Sequence, residues 1–250
     1  MMMSEIKRKI ENCFDQSSEN YESNAYIQKS VCKELIKFYV DSKSFDFIKP
    51  IRGLDLGSGT GLLSSQFQEI EEFDKLHLVD ISKKMIDLAK KKMTNNYVSF
   101  EINDFDHYNN FEKFNLIFSN MALHWSSEFE KLFSNLLDKI SSDCVLLFSL
   151  PNSSSFKSLE KIRLKNLINK LPSEKNILKL INKKKFFYKH KEIILKKKYD
   201  KPISFFYDLR KVGANAGLDT KNKRDLFSLR NNNSKILIDY NISFFFVRKF

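Results

Sequence analysis

Hydrophobic positions along residues 51–150 follow two alternating periods. Short runs rich in leucine, isoleucine, valine and phenylalanine are typical of buried strands, and they occur in "IRGLDLG", "KLHLVD", "YVSFEIND", "FNLIFSN" and "CVLLFSL". Between them, apolar residues recur every three or four positions, as on one face of an amphipathic helix. In "SSEFEKLFSNLLDKI" this face comprises Phe129, Leu132, Phe133, Leu136 and Leu137. Strands that alternate with helices predict βαβ units and a parallel sheet covered on both faces.

The pattern changes after Pro151. Residues 156–185 have the spacing of two lysine-rich helices that are broken near Pro172. They are followed by a strand in "KEIILKKKY", a short helix in "SFFYDLRKVGAN" that ends at Gly213, and a long strand in "ILIDYNISFFFVRK". No stretch is long enough to serve as a linker between two domains, so we expect one domain over residues 1–250.

The composition is that of a soluble globular protein, with 42% hydrophobic and 30% charged residues in a chain of 250. No apolar run approaches the ~20 residues that a membrane helix requires, and the opening "MMMSEIKRKIENCFDQ" has no apolar stretch typical of a signal peptide. The three cysteines, Cys13, Cys32 and Cys144, are odd in number and widely spaced, which argues against a disulfide framework. We therefore expect a cytoplasmic protein.

The net charge of +12 leaves two interpretations open. A basic protein attracts acidic partners such as nucleic acid, anionic lipid or an acidic protein. The same lysines could instead cover solvated faces without a partner. Residues 183–201, "KKKFFYKHKEIILKKKYDK", concentrate the cations around aromatic residues and favour the first interpretation slightly.

The glycines are the strongest local signal. The chain has only six, and four of them, Gly53, Gly57, Gly59 and Gly61, fall in "GLDLGSGTG" between a predicted strand and a predicted helix. Glycine loses more backbone entropy on folding than other residues, so such a cluster needs a steric reason. The spacing departs from the dinucleotide pattern G-x-G-x-x-G, and no Lys-Ser/Thr pair follows to make a phosphate loop.

Two acidic residues fall at the ends of the next two predicted strands. Asp80 ends the second strand, where a carboxylate can accept both hydroxyl groups of a ribose. Asp104 follows the third strand, where it can accept from an exocyclic amine while Phe105 flanks a purine. Because ligands of open α/β sheets bind at the carboxyl ends of the strands, the acids and the glycine turn together predict a nucleoside site.

In this combination, "LDLGSGTG", Asp80 and "NDF" resemble the class I S-adenosylmethionine-dependent methyltransferases over residues 50–150. The resemblance implies a Rossmann-like α/β fold, with a seven-stranded, mostly parallel sheet, an antiparallel last strand and helices on both faces. It implies that Asp80 binds the ribose of S-adenosylmethionine, that Asp104 and Phe105 bind the adenine, and that Asn120 faces the sulfonium and the substrate. The remaining predicted cofactor-binding residues are Asp55, Gly57, Gly59, Gly61 and Ile81.

On this basis the single domain has four parts. Residues 1–45 form an N-terminal helical lid, residues 50–150 the cofactor-binding core, residues 152–190 a basic helical insertion over the carboxyl edge of the sheet, and residues 191–250 the completion of the sheet.

Three further stretches narrow the resemblance to the malonyl acyl-carrier-protein O-methyltransferase family. They are "CFDQSSENYESNAYIQKSVCKELI", "SNMALHW" and "FFYDLRKVGANAG", in this order along the chain. That family methylates the free carboxylate of a malonyl thioester and opens the pimelate pathway to biotin. Carboxyl methyltransferases that act on small acids share the second stretch.

A carboxylate acceptor is already a nucleophile, so catalysis needs alignment and exclusion of water rather than a strong base. Among the predicted catalytic residues, Tyr21 belongs to the lid with Tyr26 and Gln28, and Trp125 forms a wall of the substrate pocket. Asn120 and His124 face the substrate, with His124 as a donor or base, and Arg210 offers a planar guanidinium to the carboxylate. Ordinary packing is the alternative for each of these side chains. His77, His107 and His190 have no metal-site spacing with cysteine, so we predict no metal.

The expected partner is an acyl-carrier protein. These proteins are acidic, and the predicted docking residues are Lys183, Lys184, Lys185 and Lys189, with Lys196, Lys197 and Lys198 as further candidates. Three alternatives remain: a methyltransferase of another small carboxylate, a tRNA methyltransferase favoured by the charge, and a non-methylating assembly factor with the same fold.

Overall fold

The computed structural model describes residues 4–44, 50–162, 164, 167–218, 227 and 229–249. Its strands are β1 (Ile51–Leu56), β2 (Phe73–Asp80), β3 (Val98–Ile102), β4 (Leu116–Asn120), β5 (Val145–Pro151), β6 (Phe187–Tyr199) and β7 (Ile236–Arg248). Its helices are α1 (Glu5–Asn24), α2 (Tyr26–Ser42), α3 (Leu62–Phe67), α4 (Lys83–Lys92), α5 (Phe129–Lys139), α6 (Lys157–Lys161), α7 (Glu174–Lys183) and α8 (Pro202–Lys211).

The seven strands form one sheet in the order β3-β2-β1-β4-β5-β7-β6. β1 to β5 pair in parallel, and β7 is antiparallel to both β5 and β6. The predicted Rossmann-like fold with an antiparallel last strand is therefore confirmed. The chain leaves β1 toward β2 and β3 on one side and returns to β4 on the other. This reversal beside β1 is the switch point at which α/β proteins bind ligands.

The core lies on both faces of the sheet. All seven residues of β5 are buried, as expected for a strand covered on two sides. β7 shows how the faces divide: Phe244 packs against Phe38 of α2, whereas Phe245 stacks on Phe148 at 4.8 Å between ring centroids. Successive side chains of a strand point to opposite faces, so the residues of "SFFFV" pack into the core on both faces of the sheet.

The N-terminal segment divides into two helices with different roles. α1 lies over the carboxyl ends of the strands, and its Asp15 accepts hydrogen bonds from the Ser82 hydroxyl at 2.5 Å and the Lys84 backbone N–H at 3.1 Å. α2 is a core helix with Val31 and Leu35 fully buried. The prediction of a lid over residues 1–45 is thus wrong for most of α2, whose apolar face packs on the sheet.

The predicted insertion at 152–190 also needs correction. α7 packs against α5, with Ile177 and Ile181 fully buried, so it is a helix on one face of the sheet. β6 begins at Phe187, four residues before the predicted strand that starts at Lys191. The sequence signal is weak there because β6 is an edge strand, and lysines on an edge strand disguise the apolar alternation.

Candidate active site

The glycine turn lies directly after β1 at the switch point. Gly57 has φ +70°, and a Cβ there would stand 2.3 Å from the Cβ of Ala122 in the loop after β4. Gly59 has φ +55°, and a Cβ there would meet no atom within 4 Å. Gly61 caps α3. The turn therefore needs glycine at Gly57 to let the β4 loop approach, whereas Gly59 faces open space.

Asp80 holds this turn against the end of β2. Its carboxylate accepts the backbone N–H of Gly59 at 2.8 Å through Oδ2 and that of Ser82 at 2.8 Å through Oδ1. Burial raises the pKa of Asp80 to about 6. One carboxylate thus joins the glycine turn to the start of α4 and lies in a cavity with Ile81.

Asp55, on β1, is 1% exposed and lies beneath the glycine turn. Its Oδ2 accepts the hydroxyl of Ser64 at 2.7 Å. Burial raises the pKa of Asp55 to about 7, and the nearby charge of Asp80 acts in the same direction. Two acidic groups therefore titrate near neutrality in one site, as functional clefts often arrange.

Asp104 and Phe105 follow β3, as predicted. Phe105 lines the same cavity as Gly57, Gly59 and Asp80. Asp104 accepts the ammonium group of Lys7 at 2.8 Å and the backbone N–H of Asp106 at 3.0 Å, both through Oδ1. Nothing in the sequence pattern marked Lys7, because its partner is 97 positions away.

Asn120 ends β4 on the other side of the glycine turn. Its Nδ2 donates to the backbone carbonyl of Gln28 at 3.1 Å, and its Oδ1 accepts the Ser149 hydroxyl at 2.8 Å. These bonds tie β4, β5 and the start of α2 together. Asn120 lines the cavity formed by Gly57 and Gly59, and its place beside the cofactor stays a prediction.

Two cavities meet at this edge of the sheet. The first, the glycine-turn cavity, contains Gly57, Gly59, Asp80, Ile81, Phe105 and Asn120. The second, the outer cavity, has a volume of about 110 Å³ and largely apolar walls. Four side chains line both: Phe14, Tyr21, Met121 and Trp125. Two predicted catalytic residues, Tyr21 and Trp125, therefore stand at the junction, and Trp125 packs edge-on against Phe14 at 5.7 Å.

The other predicted lid residues, Tyr26 and Gln28, line the outer cavity. Tyr26 is 70% exposed, so it lies at the mouth. Burial raises the pKa of Tyr21, which is neutral at physiological pH.

His124 also lines the outer cavity, and its ring packs 5.1 Å from that of Trp125. Burial lowers the pKa of His124 to about 3. Its buried Nδ1 has no hydrogen-bond partner among the described residues. An imidazole with so low a pKa is a weak base, which favours the predicted donor role over the base role.

Arg210 does not lie in either cavity. It is exposed on α8, whereas Leu209 and Asp208 of the same helix line the outer cavity. The structure therefore does not bring Arg210 to the predicted substrate pocket, because the buried side chains of Phe205 and Phe206 turn a different face of α8 inward.

The outer cavity is lined by Lys197, one of the further docking residues predicted from the sequence. Lys197 lies in β6 and pairs with Asp208 at 2.7 Å, next to the buried Tyr199. This end of β6 reaches beyond the end of β5, since Pro151 is level with Ile193 through β7. Alternate residues of a strand lie on the same face, so Lys197 shares the inner face of β6 with the buried Tyr199. The sequence could have predicted this position if the register of β6 had been known.

The predicted docking lysines lie at the wrong edge of the sheet. Phe187 is level with Val145, the first residue of β5, so the preceding Lys183, Lys184 and Lys185 lie at the amino ends of the parallel strands. Lys184 pairs with Asp138 of α5. Lys189, within β6, donates to the carbonyl of Ser42 at 3.0 Å. α7 runs away from the cavities, so it carries these lysines away from the mouth.

The described residues hold neither a metal-binding cluster nor a membrane-spanning helix. No group of three or more histidine, cysteine, aspartate or glutamate residues there has the geometry of a metal site. No described helix is both long enough and apolar enough to cross a membrane.

The switch-point cavity, glycine turn and strand-end carboxylates define a Rossmann-like protein built to bind a nucleoside. The family model described as a methyltransferase domain matches residues 49–206. The match covers well over half of the chain, so the protein belongs to this methyltransferase family. The predictions of a methyltransferase and of its S-adenosylmethionine-dependent class are confirmed at this level.

Curated relatives and a solved structure agree with this assignment. The chain is 26% identical to malonyl-[acyl-carrier protein] O-methyltransferase 2 of Coxiella burnetii, over 100% of this chain and 99% of the relative. It is 25% identical to malonyl-[acyl-carrier protein] O-methyltransferase 1 of Ilyobacter polytropus, over 86% and 81% respectively. Magnesium protoporphyrin IX methyltransferase from Synechocystis PCC 6803, solved with bound SAH (S-adenosylhomocysteine), shares the fold. Its TM-score is 0.60 at 13% identity, covering 98% of this chain and 100% of that one.

Proposed function

We propose that this protein is an S-adenosylmethionine-dependent O-methyltransferase that esterifies the free carboxylate of malonyl acyl-carrier protein. The observation that carries the proposal is the end-to-end similarity to the Coxiella burnetii enzyme, which includes the outer cavity as well as the cofactor core. The product would be the malonyl thioester methyl ester that primes pimelate synthesis for biotin.

The residues around the glycine turn suit S-adenosylmethionine. Gly59 leaves room where the methionyl part would pass, and the buried Oδ2 of Asp104 has no hydrogen bond from the described residues, so it is available to an adenine amine. Asp80 would hold the ribose, and Asp55 lies where it would oppose the charge of the methionyl ammonium group. When bound, the cofactor would supply an electrophilic methyl group next to Asn120.

The outer cavity would bind and align the methyl acceptor. Its apolar walls exclude water from the acceptor carboxylate, which needs no base once it is aligned. Tyr21 and Trp125 at the junction would orient the acceptor, and the neutral His124 would donate a hydrogen bond. Lys197, which pairs with Asp208, would place a cation in the outer cavity for the anionic malonyl carboxylate.

The test is mass spectrometry of malonyl acyl-carrier protein incubated with the protein and S-adenosylmethionine. We expect a gain of one methyl group on the carrier-bound malonyl unit, and its loss in Asp80→Ala. No gain, with SAH binding intact by calorimetry, would contradict the proposed acceptor. Free dicarboxylates and tRNA are then the acceptors to test.

The fold also predicts which lysines guide the carrier protein. Lys9 donates to the carbonyl of Leu218 at the outer cavity, and the exposed Lys170 lies between two residues that line it. We expect Lys9→Glu/Lys170→Glu to raise KM for malonyl acyl-carrier protein several-fold at low salt, because opposite charges steer association. The matched control, Lys183→Glu/Lys185→Glu at the far edge, should leave KM unchanged. The reverse result in steady-state kinetics would contradict this placement.

A further inference from the structure

Lys7 is a lysine buried in the first turns of α1. Its ammonium group lies 2.8 Å from Asp104 Oδ1, 2.8 Å from Asp106 Oδ2 and 4.8 Å from the ring centroid of Phe105. The side chain is only 4% exposed. Removing a charged amine from water costs free energy unless the amine is paired. The carboxylates of Asp104 and Asp106 provide that pairing for Lys7.

The pair leaves Asp104 with one free position. Oδ1 accepts from Lys7 and from the backbone of Asp106, whereas Oδ2 is buried with no hydrogen bond within the described part of the chain. The Nδ1 of the exposed His107 lies 3.7 Å from Oδ2, beyond hydrogen-bond distance. A buried acceptor without a donor is unfavourable, so this oxygen is poised for a donor from a ligand.

Asp106, the second partner of Lys7, connects to the wall between the cavities. Its Oδ2 accepts the backbone N–H of Ser127 at 2.9 Å and the hydroxyl of Ser127 at 2.7 Å. Ser127 follows Trp125 by two residues. A single ammonium group therefore links the lid helix, the carboxylate beside Phe105 and the loop that carries the junction tryptophan.

We propose that Lys7 is the positioning residue for purine recognition. It fixes Asp104 through Oδ1 so that Oδ2 faces the exocyclic amine of the adenine. Helix α1 thereby contributes to purine recognition through Lys7. This inference rests on the cofactor part of the proposed function and is independent of the identity of the methyl acceptor.

The test compares two ligands by isothermal titration calorimetry: SAH and S-inosylhomocysteine, in which a carbonyl oxygen replaces the adenine amine. A site that hydrogen-bonds a polar group strongly rejects an analogue without it, so the wild type should prefer SAH by at least ~10-fold. In Lys7→Met we expect SAH affinity to fall at least ~10-fold, since a buried carboxylate loses its partner. Affinity for the inosyl analogue should change little, so the preference should disappear.

Controls separate positioning from packing. Lys83→Met removes a pair with Asp87 on an exposed face of α4 and should change neither affinity. Lys7→Arg keeps the cation and should retain the preference for SAH, which also covers the case in which Lys7→Met fails to fold. An equal loss for both ligands in Lys7→Met, or no loss, would overturn the proposal. A wild type that does not bind SAH would instead contradict the proposed cofactor.

Discussion

Gly57→Ala is expected to lower the free energy of unfolding by about 2–5 kcal/mol and to abolish cofactor binding. A left-handed backbone costs a residue with a Cβ about 1–2 kcal/mol, and overpacking a filled site adds about 1–3 kcal/mol. The overpacking arises because the new methyl group would stand 2.3 Å from Ala122. To accommodate it, the loop that follows Asn120 and leads to Trp125 must move away from the cofactor.

Gly59→Ala is the matched control for this prediction. Its φ of +55° carries the same backbone cost, about 1–2 kcal/mol, but its methyl group meets no protein atom within 4 Å. We expect only that backbone cost in urea unfolding, together with a loss of SAH affinity, because the methyl group occupies ligand space. Equal destabilisation of the two variants would contradict the close approach of the β4 loop. Unchanged SAH affinity in Gly59→Ala would move the ligand away from the turn.

The sheet and the cofactor residues were predictable because their signals are local. The sequences of β5 and β7 predict strands because a short, continuous apolar run is typical of a strand that is buried on both faces. Asp80 was recognisable because parallel strands bring their carboxyl ends to one edge. The roles assigned to these residues remain proposals, but the structure places Gly57, Asp80 and Phe105 around one cavity.

The residues that the sequence placed wrongly depend on direction and register. Whether Arg210 or Asp208 faces the cavity depends on the rotation of α8, which the buried phenylalanines set. Lys183 to Lys185 follow α7 to the amino edge of the sheet, and no local pattern reports which way a helix runs across a sheet. Lys7 pairs with a residue in another part of the chain, and such contacts are absent from single-sequence periodicity.

The second large effect is expected from Asp55→Asn, which should stabilise the protein at neutral pH while weakening cofactor binding. Burial raises the pKa of Asp55 from 3.8 to about 7. Between these values the folded protein binds more protons than the unfolded chain, so the stability falls as pH rises through the window. Above pH 7 the cost of the buried charge is fully present, about 4 kcal/mol.

An asparagine has no such cost, and its side-chain oxygen still accepts from the Ser64 hydroxyl. Urea unfolding at a series of pH values should therefore show Asp55→Asn more stable than the wild type above neutral pH and equal to it near pH 4. A shallower slope should remain in the variant, because burial also raises the pKa of Asp80 to about 6.

Cofactor affinity should move in the opposite direction. The ionised Asp55 would oppose the methionyl ammonium group, so wild-type affinity for SAH should rise with pH between about 6 and 8, as the carboxylate loses its proton. Asp55→Asn should bind more weakly and with a smaller pH dependence, which Asp80 supplies, whereas the exposed control Asp87→Asn should match the wild type in both measurements. A variant less stable than the wild type at pH 8 would show that the ionised Asp55 is favourable in the fold. In that case Asp55 would stabilise the fold, and the prediction that its negative charge lowers stability while it raises cofactor affinity would be wrong.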